Sequence, residues 1–273
     1  MSAKPSKPGR VCVVLGGRGF VGSAIVAEAN ARGWSTVVVG RDTYDASIGS
    51  KADVLINANG NSKKYLAARD PKEEFDLSTR SVLRSLHDFK VSRYVHLSTI
   101  DVYPDRSNPA NNAETAPIVP SALSPYGFHK HLAEELVRFY APSWLILRMG
   151  GFVGRGLKKN SIYDLLKNEQ LRVSADSEYQ YLHTQELART VFDLIDGVTG
   201  NDTFNVCGDG TISLRDIAWM IPNCDSGRFP QNLPPERYEV NVDKLKKVRP
   251  VPSSRETVRQ FVHDVLAGKE KLA

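Results

Sequence analysis

The sequence has few cysteines and no long apolar stretch. Its three cysteines, Cys12, Cys207 and Cys224, lie far apart. An odd number at such spacings predicts neither a disulfide framework nor a metal site. No uninterrupted apolar run approaches the roughly 18 residues that a membrane-spanning helix needs. We therefore expect reduced thiols in a cytoplasmic protein that binds no metal and does not insert into a membrane.

A large excess of charge of one sign is also missing. The 36 basic and 31 acidic residues leave a formal net charge of +5, and the densest basic cluster is only Lys244–Lys247. Nucleic-acid-binding proteins usually concentrate basic residues on one face, so nucleic acid is not an expected partner. A modest positive balance suits an enzyme whose cofactor and substrate both carry phosphates. Residues 1–9 lack the apolar segment of a signal peptide, which predicts a flexible leader.

Short apolar runs alternate with amphipathic segments through the first half of the chain. The apolar runs are rich in branched aliphatic residues, as buried strands of a parallel sheet are. Ser124 followed by Pro125 is typical of a helix start. The alternation predicts a Rossmann-type α/β fold, a doubly wound parallel sheet. The predicted strands are Val11–Leu15, Thr36–Val39, Val54–Ile56, Tyr94–Leu97 and Trp144–Leu147, and further helices are predicted at Val21–Ala31, at about Ser78–Phe89 and from Thr184 and Ser213.

After about residue 150 the alternation becomes irregular, and Pro222–Pro235 is rich in proline. We therefore expect an NAD(P)-binding Rossmann domain at residues 10–150 and a smaller C-terminal substrate-binding lobe at residues 151–273, interleaved with the first. The sequence shows no self-complementary patch. A homodimer is kept as an alternative to a monomer.

The first predicted strand leads into a glycine-rich turn, Gly16-Gly-Arg-Gly-Phe-Val-Gly22. In this G-x-x-G-x-x-G pattern, glycines let the backbone and the N-terminus of the next helix approach a pyrophosphate. Side chains at these positions would block the approach, and Gly22 would allow the helix to pack closely on the sheet. The pattern, placed between a strand and a helix, predicts a dinucleotide site.

The end of the second predicted strand, Val39-Gly-Arg-Asp42, contains both types of residue that select the dinucleotide. An arginine accepts the 2′-phosphate of NADP, whereas an acidic residue binds the ribose hydroxyls of NAD. Arg41, together with Arg18 from the glycine turn, would place two guanidinium groups around the phosphate. Asp42 would serve NAD. We favour NADP(H), with NAD(H) as the alternative.

Tyr126 and Lys130 form a Tyr-x-x-x-Lys pair at the start of a predicted helix. A spacing of four residues puts both side chains on one face. An ammonium beside a phenol lowers the pKa of that phenol, so Tyr126 would donate a proton to a carbonyl oxygen while hydride reaches the carbon. Upstream, Thr99 follows a predicted strand. At the carboxyl edge of a parallel sheet, its hydroxyl would face the ligand crevice and bind the substrate oxygen.

Three segments together resemble the extended short-chain dehydrogenase/reductase family, in its NAD(P)-dependent sugar-nucleotide epimerase, dehydratase and reductase branch. They are the glycine turn, Leu97-Ser-Thr-Ile-Asp-Val-Tyr103 and Tyr126-Gly-Phe-His-Lys130. Further similarities follow at Leu147–Gly154, Tyr181–Ala188 and Phe204–Gly208.

This resemblance implies catalytic roles for Thr99, Tyr126 and Lys130, with Lys130 also holding the nicotinamide ribose. It implies that the C-terminal lobe binds a nucleotide-linked sugar. The cofactor contacts expected on this basis are Gly16, Arg18, Gly19, Phe20, Val21, Gly22, Arg41, Asn57, Ala58, Asn59, Leu97, Tyr126, Lys130 and Met149.

The chain departs from the family pattern at several positions. Where family dehydratases carry Thr-Asp-Glu, this chain has Thr99-Ile-Asp101. Ile100 cannot act as the acid that expels water, which argues against dehydration, and Asp101 occupies the position of the glutamate. The family usually has an asparagine near the start of the fourth helix, and this chain has replaced it at about Ser78. The short segment after the second strand is similar to that of sugar-nucleotide reductases.

Three functions remain open. We favour reduction by NADPH of a keto group on a nucleotide-linked, deoxygenated sugar, because a consumed reductant is usually NADPH. The second is epimerisation through transient oxidation, with Asp101 or His183 as an additional base. The third is a non-enzymatic NADP-binding regulator. For both enzymes the expected partner is a nucleotide sugar, and the candidate substrate contacts are Asp101, Tyr103, Gly151, Arg155, Tyr181 and Arg237.

Overall fold

The computed structural model describes residues 9–61, 63–224 and 226–273. The predicted leader at residues 1–9 lies outside this part, apart from Gly9. Within these residues, the strands are β1 (Val11–Leu15), β2 (Ser35–Val39), β3 (Lys51–Asn57), β4 (Lys90–Thr99), β5 (Trp144–Met149), β6 (Gly151–Val153), β7 (Glu178–Tyr179), β8 (Tyr181–His183), β9 (Asp202–Val206), β10 (Ile212–Ser213) and β11 (Arg237–Tyr238). The α-helices there are α1 (Phe20–Ala31), α2 (Tyr44–Ser47), α3 (Leu66–Arg69), α4 (Pro71–Phe75), α5 (Ser81–Asp88), α6 (Pro125–Tyr140), α7 (Ser161–Leu166), α8 (Thr184–Gly197), α9 (Leu214–Trp219), α10 (Asp243–Lys246) and α11 (Ser254–Leu266).

The main sheet has six strands in the order β2-β1-β3-β4-β5-β9. The pairs from β2 to β5 are parallel. From β1 the sheet continues to β2 on one side and to β3 on the other, so the strand order reverses at β1. In such a sheet, ligands bind outside the carboxyl ends of the strands where the order reverses. The predicted Rossmann-type, doubly wound α/β fold is therefore confirmed.

The predicted elements are present, with differences in length. All five predicted strands are found, and β3 and β4 begin several residues earlier because main-chain pairing extends into polar segments. The helix predicted near Ser78–Phe89 begins at Pro71, and a π-helical turn at Asp76–Arg80 joins α4 to α5. Ser124 Oγ accepts a hydrogen bond from Gly127 N at 3.1 Å, which confirms the predicted helix start.

The core of the sheet supports α6. Val13, Leu55, Tyr94 and Ile146 from the strands pack in one cluster with Val137 of α6. The buried Tyr94 hydroxyl lies 2.7 Å from Asn57 Nδ2 and 2.6 Å from Ser85 Oγ. This packing fixes α6, which carries Tyr126 and Lys130, on the sheet.

Contacts within the chain divide it into two units. The first comprises the described residues up to Pro104, Pro117–Met149 and Ala188–Phe204. The second comprises Asp105–Ala116, Gly150–Leu187 and Asn205–Ala273, and it contains two small sheets, β10-β7-β11 and β6-β8. The division of cofactor and substrate binding between them stays a prediction. Within the described residues, no helix has both the length and the apolar character needed to cross a membrane.

Candidate active site

The turn after β1 has the backbone geometry that the glycine pattern predicts. Gly16 has a φ of +73°, and a Cβ at this residue would lie 2.9 Å from the Ala58 carbonyl oxygen. A Cβ on Gly22 would lie 2.2 Å from the Gly16 oxygen, so neither position accepts a side chain. The N-cap of α1 is Gly19, which has no side chain to cap the helix, so the amides of the first turn can face an anion. The turn fits the pyrophosphate of a dinucleotide.

The residues predicted to select the dinucleotide interact with each other. Arg18 Nη1 donates to Asp42 Oδ2 at 2.7 Å, and both side chains are exposed. This hydrogen bond from Arg18 lowers the pKa of Asp42. Arg41 is exposed at the end of β2. The structure thus brings one predicted phosphate-binding residue, Arg18, onto the carboxylate that would bind the ribose of NAD.

The predicted contacts after β3 stabilise the turn that faces the glycine loop. Asn57 is buried, and its Oδ1 accepts a hydrogen bond from Asn59 N at 3.0 Å. Ala58 N donates to the Leu15 oxygen at 3.0 Å. Asn57 therefore shapes the loop through its side chain. The other predicted cofactor residues are placed as follows: Phe20 and Val21 lie in the first turn of α1, Leu97 is buried in β4, and Met149 ends β5.

Tyr126 lies in the first turn of α6 and is almost fully buried. Its hydroxyl donates to the Asn61 carbonyl oxygen at 3.0 Å. Burial raises the pKa of Tyr126, and the charges of Asp101 and Glu74 raise it further. The direction is opposite to the lowering predicted from the Tyr–Lys spacing, because loss of hydration dominates. The phenol is protonated at neutral pH.

Lys130 is buried one helical turn after Tyr126. Its Nζ donates to the Leu97 carbonyl oxygen at 3.4 Å. Burial lowers the pKa of Lys130 to about 8, and the carboxylates of Glu134, Glu74 and Asp101 act in the opposite direction. The side chain is therefore mostly an ammonium at neutral pH.

Thr99 and Asp101 form a hydrogen-bonded pair at the carboxyl end of β4. Thr99 Oγ1 donates to Asp101 Oδ2 at 2.9 Å, and Asp101 N donates to Thr99 Oγ1 at 3.2 Å. Lys64 Nζ lies 2.7 Å from Asp101 Oδ2. The sequence reasoning missed Lys64, because no spacing links this residue of the β3–α3 loop to β4.

The remaining residue predicted at this edge, Tyr103, is fully buried. Its hydroxyl accepts a hydrogen bond from Arg148 Nη1 at 2.8 Å. Arg148 also bonds the buried Glu134 carboxylate, with Nη2 2.8 Å from Oε2. This burial does not support the predicted substrate contact of Tyr103, which packs into a buried ion-pair network instead.

The other predicted substrate residues lie in the second unit. A Cβ on Gly151 would lie 2.9 Å from the ring of the buried Tyr181. Arg155 is exposed. Arg237 pairs with Glu178 and with Glu239, each at 2.6 Å.

Two further features of the second unit bear on the predictions. Arg237 lines a cavity of about 260 Å³ with Arg106, Ser107, Glu236 and Tyr238. The alternative base, His183, has Nε2 3.2 Å from Glu270 Oε1. Glu270 therefore gives His183 a structural hydrogen bond.

Three solved structures have the same fold at low sequence identity. A UDP-galactose 4-epimerase is 22% identical with a TM-score of 0.74, and the match covers 94% of this chain and 99% of that one. UDP-glucose 4-epimerase from Thermotoga maritima, with UDP-glucose, is 15% identical with a TM-score of 0.72 and coverage of 95% and 100%. dTDP-4-dehydrorhamnose reductase from Bacillus anthracis, in complex with NADP, is 16% identical with a TM-score of 0.73 and coverage of 95% and 99%.

Comparison of the sequence with curated proteins finds no significant match. Comparison with family models does give an assignment. A family model described as the NAD dependent epimerase/dehydratase family matches residues 12–207, which is most of the chain and includes the glycine turn, Thr99, Tyr126 and Lys130. The chain therefore belongs to the NAD dependent epimerase/dehydratase family.

Proposed function

We propose that the protein is an NADPH-dependent reductase of a keto group on a nucleotide-linked, deoxygenated sugar. The observation that carries the proposal is the buried, protonated phenol of Tyr126, one helical turn before the buried ammonium of Lys130. A ketone becomes an alcohol by gaining a hydride at carbon and a proton at oxygen. A protonated phenol is the form of a tyrosine that supplies that proton.

Each residue has a separate task in this reaction. Tyr126 is the general acid, and the substrate oxygen would replace the Asn61 carbonyl as the acceptor of its hydrogen bond. Thr99 orients the same oxygen. Lys130 holds the nicotinamide ribose and places a positive charge near the phenolate left after proton transfer. A bound nicotinamide coenzyme supplies the hydride.

The preference for NADPH rests on Arg18 and Arg41. Both guanidinium groups are exposed near the end of β2, where a 2′-phosphate would lie. Arg18 would exchange Asp42 for the more highly charged phosphate. The competing arrangement, in which Arg18 stays on Asp42 and that carboxylate binds the ribose hydroxyls, is the one that favours NAD.

The substrate class is proposed from the family and from the second unit. One of the similar structures contains UDP-glucose, and another is the reductase of a dTDP-linked keto sugar. Arg237 and Arg106 line the same cavity, where a diphosphate would replace Glu178 and Glu239 as the partner of the Arg237 guanidinium. Gly151 and Arg155 are proposed to contact the sugar or the diphosphate. The burial of Tyr181, like that of Tyr103, does not support its predicted substrate contact.

Epimerisation is the second candidate, and Asp101 favours it. This buried carboxylate lies beside Thr99 and forms an ion pair with Lys64. A carboxylate at this position can serve as the additional base, which a simple reduction does not require.

The test is turnover of the purified protein with NADPH and a panel of nucleotide-linked 4-keto sugars. The near-ultraviolet absorbance of NADPH reports its oxidation. Net oxidation of NADPH supports the reductase. Interconversion of sugar isomers without net oxidation supports the epimerase. Tight NADPH binding without either reaction contradicts both and indicates a regulator.

We also propose that the protein forms a homodimer through an apolar groove along α6, defined by Phe75, Leu83, Leu132, Leu136, Phe139 and Tyr140. The groove has a volume of about 810 Å³. Phe139, at one end of α6, is 80% exposed beside it. If two α6 helices pack antiparallel about a twofold axis, each Phe139 enters the other copy's groove. Arg80, Arg138 and Glu135 also line the groove, and within one copy Arg80 pairs with Asp76 and Arg138 pairs with Glu135.

A further inference from the structure

The strand that carries Thr99 continues directly into a tight turn. Thr99 is the last residue of β4, and a 3₁₀-helical turn at Ile100–Val102 follows it. Asp101 N donates to Thr99 Oγ1 at 3.2 Å, and Tyr103 N donates to the Ile100 oxygen at 3.1 Å. Every residue from Thr99 to Tyr103 is buried. The position of the Thr99 hydroxyl therefore depends on what holds this turn.

A buried carboxylate of α6 holds the residue that precedes the turn. Ser98, in β4, donates through Oγ to Glu134 Oε1 at 2.6 Å, and both side chains are buried. Glu134 lies one helical turn after Lys130 and two helical turns after Tyr126 in α6. The hydrogen bond from Ser98 therefore ties the strand that carries Thr99 to the helix that carries the proposed acid.

The same carboxylate reaches the other end of the turn through Arg148. This arginine, in β5, has Nε 3.0 Å from Glu134 Oε1 and Nη2 2.8 Å from Oε2. Its Nη1 donates to the Tyr103 hydroxyl at 2.8 Å. A guanidinium group is planar, and its donors have fixed directions. Because Glu134 fixes the orientation of Arg148, it also fixes where the Tyr103 hydroxyl lies.

The ion pair in this network stays charged at neutral pH. Burial opposes ionisation of Glu134, but the charge and hydrogen bonds of Arg148, together with Arg138 and Ser98, lower the pKa of Glu134 to about 2. Loss of the Tyr103 hydroxyl would leave this ion pair charged. The change would remove the bond between the ion pair and the end of the turn.

The turn also packs directly against the first turn of α6. A Cβ on Gly127 would lie 2.2 Å from the Asp101 carbonyl oxygen, so the two backbones approach with no side chain between them. Gly127 is the residue after Tyr126. A displacement of the turn by about 1 Å would change how the Thr99 and Tyr126 hydroxyls meet one substrate oxygen, and misplacement on this scale slows reactions strongly.

We propose that Ser98 and Tyr103 are positioning residues for Thr99. They hold the two ends of its turn on the Glu134–Arg148 ion pair, which fixes the Thr99 hydroxyl relative to the hydroxyl of Tyr126. The inference rests on the proposed function, in which both hydroxyls bind the same substrate oxygen. It gives Tyr103 a role that acts through Thr99, in place of the predicted contact with substrate.

A double-mutant cycle separates this role from a merely structural one. Tyr103→Phe keeps the ring but loses the bond to Arg148. We expect kcat for NADPH oxidation to fall about tenfold, with KM and NADPH affinity within about twofold of wild type. In a Thr99→Val background the hydroxyl to be positioned is absent, so Tyr103→Phe should lower kcat by less than about twofold.

A residue that only stabilises the fold would give a different result. Tyr103→Phe would then leave kcat unchanged, or lower it by the same factor in both backgrounds, and either result overturns the inference. Tyr44→Phe is the matched control, because it removes a tyrosine hydroxyl that bonds Asp88 at 2.9 Å in α2 and α5, and it should leave kcat unchanged. Ser98→Ala removes the bond at the other end of the turn. It should behave like Tyr103→Phe in the same cycle, which keeps the test available if Tyr103→Phe does not fold.

Hydrogen exchange tests the same contacts without turnover. The amides of Asp101 and Tyr103 donate within the turn, so we expect Tyr103→Phe to speed their exchange by about tenfold or more in NMR measurements. Unchanged exchange overturns the inference. Failure of the proposed function is a different result. The wild type then neither oxidises NADPH nor interconverts sugars, while the exchange rates still decide whether Tyr103 holds the turn.

Discussion

Lys64 and Asp101 form an ion pair next to the hydroxyl of Thr99. Lys64 Nζ lies 2.7 Å from Asp101 Oδ2, and the same oxygen accepts the Thr99 proton at 2.9 Å. Asp101 also raises the pKa of Tyr126. The half-exposed Lys64 therefore neutralises a charge that would make the proposed general acid weaker.

Replacement of Lys64 by Met is expected to slow reduction. The uncompensated Asp101 carboxylate then raises the pKa of Tyr126 further, and proton donation becomes harder. We expect kcat to fall roughly tenfold, which corresponds to about one pKa unit, as measured by NADPH oxidation at neutral pH. The neighbouring exposed Lys63→Met is the control. Wild-type kcat in the Lys64 variant would show that the ion pair does not affect the acid.

Replacement of Tyr126 by Phe removes the proposed proton donor. We expect kcat to fall by a factor on the order of 100 to 10,000, while NADPH affinity, measured by fluorescence titration, stays within about twofold. Tyr140→Phe, at the exposed end of the same helix, is the matched control. A fully active Tyr126→Phe enzyme would refute the assignment of the acid.

Replacement of Arg41 by Ala tests the cofactor preference. Loss of a charge-assisted bond to the 2′-phosphate is expected to weaken NADPH binding about 10- to 100-fold. NADH lacks that phosphate, so its affinity should change little. Asp42→Asn is expected to act oppositely, strengthening NADPH binding and weakening NADH binding. Equal losses for both coenzymes in Arg41→Ala would remove the case for a phosphate pocket.

Much of the fold was predictable because its signals are local. Strands buried on both faces carry apolar runs, and the glycine turn needs positions without side chains, as Gly16 and Gly22 show. β9 was not predicted as a strand, because the polar residues in Asp202–Val206 interrupt the apolar run by which the other strands were identified.

The site was less predictable because its electrostatics depend on packing between distant segments. Spacing identified Tyr126 and Lys130, but it predicted the wrong direction for the Tyr126 pKa, since burial cannot be read from spacing. Lys64 reaches the site from a loop with no motif of its own, and its partner, Asp101, lies 37 residues away. Tyr103 and Arg148 lie 45 residues apart, and no spacing in the sequence links their side chains.

Replacement of Glu134 by Gln is expected to destabilise the fold. Burial opposes ionisation of Glu134, but Arg148 and other donors hold its pKa at about 2. This pKa is below the value of about 4.3 in an unfolded chain. The ionised pair therefore stabilises the fold above that value, and its contribution is lost as the pH falls toward 2.

The variant leaves Arg148 buried without its carboxylate, which costs about 3–5 kcal/mol in the free energy of unfolding. Urea unfolding at neutral pH measures the loss, and the difference from wild type should narrow at about pH 3. Glu135→Gln, the adjacent and half-exposed carboxylate, should change stability by less than about 1 kcal/mol. A constant difference across this pH range would contradict the assignment of the charge.

Replacement of Phe139 by Lys tests the proposed dimer. The side chain is 80% exposed beside the groove of α6, and an ammonium buried there against a second copy would be strongly unfavourable. We expect sedimentation velocity to show a dimer for the wild type and a monomer for Phe139→Lys. Trp219→Lys, an equally exposed aromatic residue of α9 that lies outside the groove, should remain dimeric. A monomeric wild type at micromolar concentration, or a dimer that survives the Phe139 change but not the Trp219 change, would exclude the groove as the interface.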